Sequence, residues 1–363
     1  MSARVVPEYG MDDISVIGLP ELQAHLELLL DDPSLPLDMR ILDDFELQLT
    51  EDNIPSLIPI LLPLLIGVWK SATQDPTALH SLTIKLLSPL SFTEALTIAD
   101  PPSVLRALVS RLPGANLLAL AILHKAVEST TDVAILSLLP EIVETLVTSW
   151  LTSPDVGVGR RASKVLGDLL ETDCEATDNS TNNTHLTTAV NGSGAVNHRV
   201  PGDGNLWRLF LSHSALIQRL CTPGATRTTT QATISQGRLL RLLARLCTLN
   251  IRALSTPVFH DFGLPDAITA RTGNALLQWA ALGMVDPSDE LMCFQLLDFF
   301  ETFVSLMRVS SRSAETDDLV QTLLATALES DDELETVLRT LPDRTVEAEA
   351  EPLRQYIAGL LNR

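Results

Sequence analysis

A chain of 363 residues is long enough for two or three ordinary domains or for one elongated array. Aromatic residues are only 4% of it, and the β-branched and aromatic alternation that marks strands is almost absent, which argues against a sheet-built fold. With 46 acidic against 25 basic side chains and a net charge of -21, its surface repels nucleic-acid phosphates and anionic lipid and should attract a basic partner.

The N-terminal stretch MSARVVPEYGMDD has no apolar signal-peptide core, so the expected compartment is the cytosol, with the nucleus as a second address. Leucine-rich segments of helical spacing then come in pairs around turn prolines. Residues 17–30 pair with 37–49 around Asp32-Pro33, 57–70 with 77–88 around Asp75-Pro76, and 103–111 with 115–127 around Leu112-Pro113. Within the second pair, residues 54–69 are almost wholly apolar but include Pro55, Pro59 and Pro63. Crossing a membrane takes about 20 apolar residues, so this stretch is expected to be a buried helix.

The next pair is the one on which the repeat reading rests. Leu139, Ile142, Val143, Leu146 and Trp150 form one stripe, and Val158, Ala162, Val165, Leu166 and Leu169 another. Between them Ser153-Pro154-Asp155 stops one helix and offers a cap to the next, giving helices over 135–151 and 156–170. The four turn prolines stand 43, 37 and 41 residues apart. A hairpin recurring at that period cannot bury its apolar stripe alone and must stack on its neighbours, as a HEAT-type repeat does.

Residues 175–204 break the period with Asn, Thr, Ser and Gly and little to bury, and are expected to be a disordered insertion. Beyond it, 206–221 pair with 235–250, 265–282 with 288–308, and 318–329 with 332–340, and a helix over 352–361 closes the chain. The predicted fold is therefore all-α, a HEAT/armadillo-like α-solenoid of about seven helical hairpins. It is one continuous array with N-terminal repeats in 1–174, the insertion in 175–204 and C-terminal repeats in 205–363.

No arrangement of nucleophile, base and orienting group emerges, so no catalytic, cofactor or metal site is expected. His260-Asp261-Phe262-Gly263 contains a kinase-like triplet without the accompanying loops or strand lysine, and reads as a turn with Phe262 tucked inward. Gly157-Val158-Gly159 follows no strand and precedes no Gly-Lys-Ser/Thr, so it is not a phosphate cradle. The seven histidines show no zinc-ligand spacing, and Cys174, Cys221, Cys247 and Cys293 stand too far apart for a C-x-x-C pair and read as small core residues.

What remains is a set of polar stripes on the second helix of each hairpin. Arg238, Arg241, Arg245 and Arg252 lie on one side of theirs, Arg160, Lys164 and Asp168 on another, and Gln295, Asp298, Thr302 and Ser305 on a third. In a stacked array these faces line one concave surface. The candidate partner-binding residues are Arg160, Lys164, Arg238, Arg241, Arg245, Asp298 and Glu301, a mixed-charge set that suits a mixed-charge partner.

At WLTSPDVGVGRRASKVLGDLLETDC, residues 150–174, followed by LWRLFL, residues 206–211, the chain resembles fungal relatives of the 26S proteasome non-ATPase regulatory subunit 5 family, some of which carry a DNA mismatch repair name. The resemblance implies a HEAT/armadillo-like chaperone whose C-shaped solenoid grips the C-terminal domain of one proteasomal AAA-ATPase subunit while the base of the regulatory particle is assembled. The expected protein is a monomer acting without a cofactor, with neither nucleic acid nor membrane as partner. The rival reading is an acidic helical-repeat adaptor for another protein, in nuclear transport or DNA repair.

Overall fold

A computed structural model describes residues 16–71, 79–174, 201–224, 227–257, 259–310, 313–329 and 331–361. The turn at Pro76 and residues 175–200 of the expected insertion lie outside them. Among the described residues there are 19 α-helices and no strand. The chain packs as two compact units, residues 1–122 and 123–363.

The first unit holds α1 (Leu19–Asp31), α2 (Met39–Leu47), α3 (Ile54–Ser71), α4 (His80–Leu87), α5 (Phe92–Ile98), α6 (Pro101–Leu108) and most of α7 (Pro113–His124). Helix α1 packs on α2 and α3, and α4 on α2 and α3. Their starts are set by local side chains: Asp38 accepts from the Arg40 amide at 3.0 Å to open α2, and Ser91 with Glu94 forms a capping box on α5. That box is the sequence signal for α5, a helix outside the paired pattern.

Helix α3 is the one described helix long and apolar enough to cross a membrane by length and composition. Its Leu57, Leu61, Leu65 and Val68 enter the core shared with α1, α2 and α4, while Pro55, Pro59 and Pro63 lie on the exposed opposite face. That placement lets the helix tolerate them. A proline at i leaves the carbonyl at i−4 without its helical donor, and on this face the orphaned oxygens meet solvent.

The second unit begins with a short 3₁₀ turn, Lys125–Glu128, and α8 (Thr130–Ser137). Next come α9 (Pro140–Thr152) and α10 (Val156–Thr172), whose stripes are buried: Ile142, Val143, Leu146 and Trp150 on α9, and Val158, Ala162, Val165, Leu166 and Leu169 on α10. Pro154 falls in the turn between them, and the Asp155 carboxylate caps α10 through the Val158 amide at 2.8 Å. Then follow α11 (Asn205–Ser212), α12 (Ser214–Cys221) and α13 (Thr229–Ser255). The unit closes with α14 (Asp266–Thr272), α15 (Leu276–Leu282), α16 (Glu290–Val309), α17 (Ala314–Leu328), α18 (Asp332–Thr340) and α19 (Glu347–Leu361).

Three segments read as single helices are broken. The stretch expected over 135–151 bends by 94° between α8 and α9, because Pro140 begins α9 and disfavours helical geometry in the residue before it. The stretch over 206–221 divides at His213 into α11 and α12, and the one over 265–282 divides at Gly273, whose φ is 83°. Helix α13 is longer than expected and kinks at Asn250, whose side chain accepts from the Ala253 amide at 3.0 Å and restarts the helix.

Helix α10 packs on α13, α13 on α16, and α16 on α18. Helix α9 packs on α10 within its hairpin and on α12 and α13 of the next. The Phe262 ring is buried and stacks on Trp279 with centroids 5.1 Å apart, so the kinase-like triplet is the inward-turned loop its residues suggested.

Candidate functional site

Helix α13 is fixed to the preceding hairpin by polar side chains that reach orphaned helix ends. A helix leaves its last four carbonyls without helical donors. Ser235 Oγ donates to the Leu151 carbonyl of α9 at 2.8 Å, and Arg238 Nη1 donates to the Trp150 carbonyl at 2.9 Å. Gln236 Nε2 likewise donates to the Cys221 carbonyl of α12 at 2.8 Å. The N-terminal half of α13 therefore acts as a C-terminal cap for two helices.

Two glycines of α10 make the seat. A Cβ added at Gly159 would stand 2.5 Å from Arg238 Nη2, and one at Gly167 would stand 2.5 Å from Arg245 Nη1. Both separations are below any real carbon contact, so the guanidinium groups of α13 lie where side chains of α10 would otherwise be. The glycines are eight residues apart on α10 and the arginines seven apart on α13, about two turns in each case.

Beside Gly167 the charges converge on Asp168, whose side chain is 13% exposed. Lys164 Nζ donates to Oδ2 at 2.7 Å, Arg245 Nη2 donates to Oδ1 at 2.7 Å, and His124 Nε2 meets Oδ2 at 2.8 Å. Arg161 Nη2 lies 3.4 Å from His124 Nδ1, so a tautomer with the proton on Nε2 satisfies both contacts of the ring. Arg245 also donates to Glu171 at 2.6 Å. Burial pushes the Asp168 carboxyl upward, but the hydrogen bonds from Lys164, His124 and Arg245 outweigh it and hold the group down at about 2. For Arg245 burial works against the charge, and Asp168 and Glu171 reverse that to raise it. Burial lowers Arg238, with Asp155 opposing the shift and Arg241 adding to it.

The same faces of α10, α13 and α16 line an open groove of about 920 Å³. Five of the seven candidate residues border it: Arg160 and Lys164 from α10, and Arg238, Arg241 and Arg245 from α13. Arg241 Nη2 donates to Gln295 Oε1 of α16 at 3.2 Å, and Arg160 is exposed with no ion pair among the described residues. The other two candidates stand apart from the lining. Asp298 is exposed further along α16, and Glu301 is engaged by Arg344 from the 3₁₀ turn Leu341–Arg344.

Other cavities offer less. An apolar cleft of about 280 Å³ in the first unit, between α3, α6 and α7, has Lys70 and Arg106 as its charged lining. A cavity of about 540 Å³ between α15, α16 and α17 is bordered by Phe294, Cys293, Glu290, Asp331 and Glu333. Among the described residues no three His, Cys, Asp or Glu side chains are grouped to hold a metal. Cys221 and Cys247 are buried, and burial pushes the Cys221 thiol up to about 12.

Spacing alone missed His124 and Glu171, which enter the Asp168 cluster from another element and from the next turn, and it missed the glycine seats. It also missed the apolar rim of the groove, where Val156 is 77%, Leu291 63% and Ile234 45% exposed. The available signal was the pair of glycines interrupting an otherwise well-patterned helix, a costly choice of about 1 kcal/mol each against alanine that calls for a packing reason. No family model, no curated protein and no solved structure matches this chain, so the functional reading rests on these residues and their geometry.

Proposed function

We propose that this chain is a non-enzymatic α-solenoid scaffold that holds a protein partner on the inner face of its second helices. The carrying observation is the groove on α10, α13 and α16, where successive hairpins set their second helices side by side and leave Arg160 and Arg241 facing solvent. Stacked helical repeats bind through such continuous faces. The resemblance at residues 150–174 and 206–211 falls on α9, α10 and α11, two of which bring Trp150, Gly159, Gly167 and Asp168 to this site. On that ground the partner is the C-terminal domain of a proteasomal AAA-ATPase subunit, and the activity is assistance to assembly of the regulatory-particle base.

The test is co-purification of the full chain with each recombinant ATPase C-terminal domain in turn. Stable capture of one domain and not its paralogues is the expected result. A folded chain that retains none of them removes the family assignment.

A further inference from the structure

We propose that the groove on α10, α13 and α16 seats an acidic peptide segment that also carries apolar side chains, an inference that rests on the scaffold reading and names its partner's chemistry. The chain as a whole carries -21, yet among the described residues no Asp or Glu lines this groove and five basic side chains do. Not all five are free to bind. Arg238 is committed to the Trp150 carbonyl, while Lys164 and Arg245 are committed to Asp168. Arg160 and Arg241 are left exposed at the groove, Arg241 with one hydrogen bond to the neutral Gln295, and a guanidinium pairs with a carboxylate through two parallel hydrogen bonds.

The apolar half of the recognition lies on the rim. Val156, Ile234 and Leu291, one from each of the three helices, are exposed beside the basic walls. Apolar side chains grouped with unneutralised charge suit a segment that presents both acid and hydrocarbon. They do not suit a polyanion: among the described residues no aromatic side chain lines the groove for bases to stack on, and Arg245 is already paired with Asp168 and Glu171. Because Asp298 and Glu301 stand outside the groove, the partner's chemistry narrows here from mixed charge to acidic.

The experiment uses the full chain and a fluorescein-labelled synthetic peptide of alternating Glu and Leu, read by fluorescence anisotropy at low and high salt. A Lys-for-Glu version and a single-stranded DNA oligonucleotide serve as competing probes. The acidic peptide should bind, and more weakly at high salt. Arg160→Glu with Arg241→Glu should weaken it by about tenfold or more, and Ile234→Ser with Leu291→Ser by a few-fold, while Arg339→Glu with Arg354→Glu leaves it unchanged. Should the first pair unfold the chain by circular dichroism, Arg160→Gln with Arg241→Gln gives the same reading without reversing charge.

The proposal is overturned if the acidic peptide does not bind, if the groove variants bind it as well as the wild type, or if the Lys peptide or the oligonucleotide binds as tightly. The two readings fail separately. Capture of an ATPase domain that survives the groove variants moves the binding face elsewhere, whereas groove-dependent peptide binding without ATPase capture keeps the groove and removes the family assignment.

Discussion

Two buried or half-buried carboxylates of the second unit, Asp168 and Asp173, respond to pH in opposite directions. Asp168 is held at about 2 by its three donors. The unfolded chain therefore takes up a proton there before the folded one does, and the stability that Asp168 contributes is lost as pH falls from about 4 towards 2. Asp168→Ala leaves Lys164 and His124 without this acceptor and Arg245 with Glu171 alone, and should cost about 2–3 kcal/mol, measured by urea unfolding at neutral pH. Asp173 is 2% exposed, and burial raises it to about 6, with the Trp207 amide pulling it down and Asp203 pushing it up. Between about 4 and 6 the folded state keeps a proton that the unfolded state has released, so stability falls as pH rises through that window. Asp173→Asn keeps an acceptor for the Trp207 amide, now 3.0 Å away, and should flatten that slope and raise stability at neutral pH by about 1 kcal/mol. An unchanged slope in the variant would show that the carboxyl is not the titrating group.

At the scale of elements, the contact of α10 with α13 is a polar joint within an apolar core. Gly167→Ala gains about 1 kcal/mol of helix propensity but displaces the Arg245 head from Asp168 and Glu171 and presses on Leu242, whose Cδ1 would stand 3.2 Å away. A net loss of about 1 kcal/mol is expected from urea unfolding. In an Arg245→Ala background the same change should become neutral or stabilising, and the double-mutant cycle measures the difference. Equal effects in both backgrounds would show that the glycine does not serve as a seat for the arginine.

Much of this joint was legible one helix at a time. The stripes of α9 and α10, the stop at Pro154 and the cap at Asp155 are local signals, and each lies where its residues place it. What was not legible depends on pairing between distant segments. Arg238 and Arg245 share a face with Arg241, so their spacing reads as one basic stripe, but only the approach of Gly159 and Gly167 shows that two of the three hold the fold together. Reversing all three charges would confuse loss of binding with loss of the joint, which is why Arg160 and Arg241 are the residues to change. The breaks at Pro140, His213 and Gly273 were missed because apolar periodicity runs across them, and of the three residues only proline and glycine signal a break locally.

At the scale of the molecule, the turn prolines 33, 154, 223 and 287 fall between helices and Pro113 opens α7, so each marks a boundary in the helix series. Residues 175–200 interrupt it between α10 and α11, and the flanks meet: the Gly202 amide donates to the Cys174 carbonyl at 2.9 Å. Replacing residues 176–200 by a short Gly-Ser linker should therefore leave the thermal unfolding midpoint unchanged or slightly raised, since a shorter loop closes at lower entropic cost. A fall of several degrees would show that the segment packs as structure.

The claim on which the rest depends is that a partner is held by the second helices of the second unit. Hydroxyl-radical footprinting of the chain alone and in complex with its captured partner tests it most directly, because Val156, Ile234 and Leu291 are exposed reporters on α10, α13 and α16. Oxidation of these three side chains should fall on binding, while that of Leu138 and Val346, exposed elsewhere in the second unit, stays the same. Protection of Leu138 and Val346 with the three groove reporters unchanged would contradict the account and place the partner on another face.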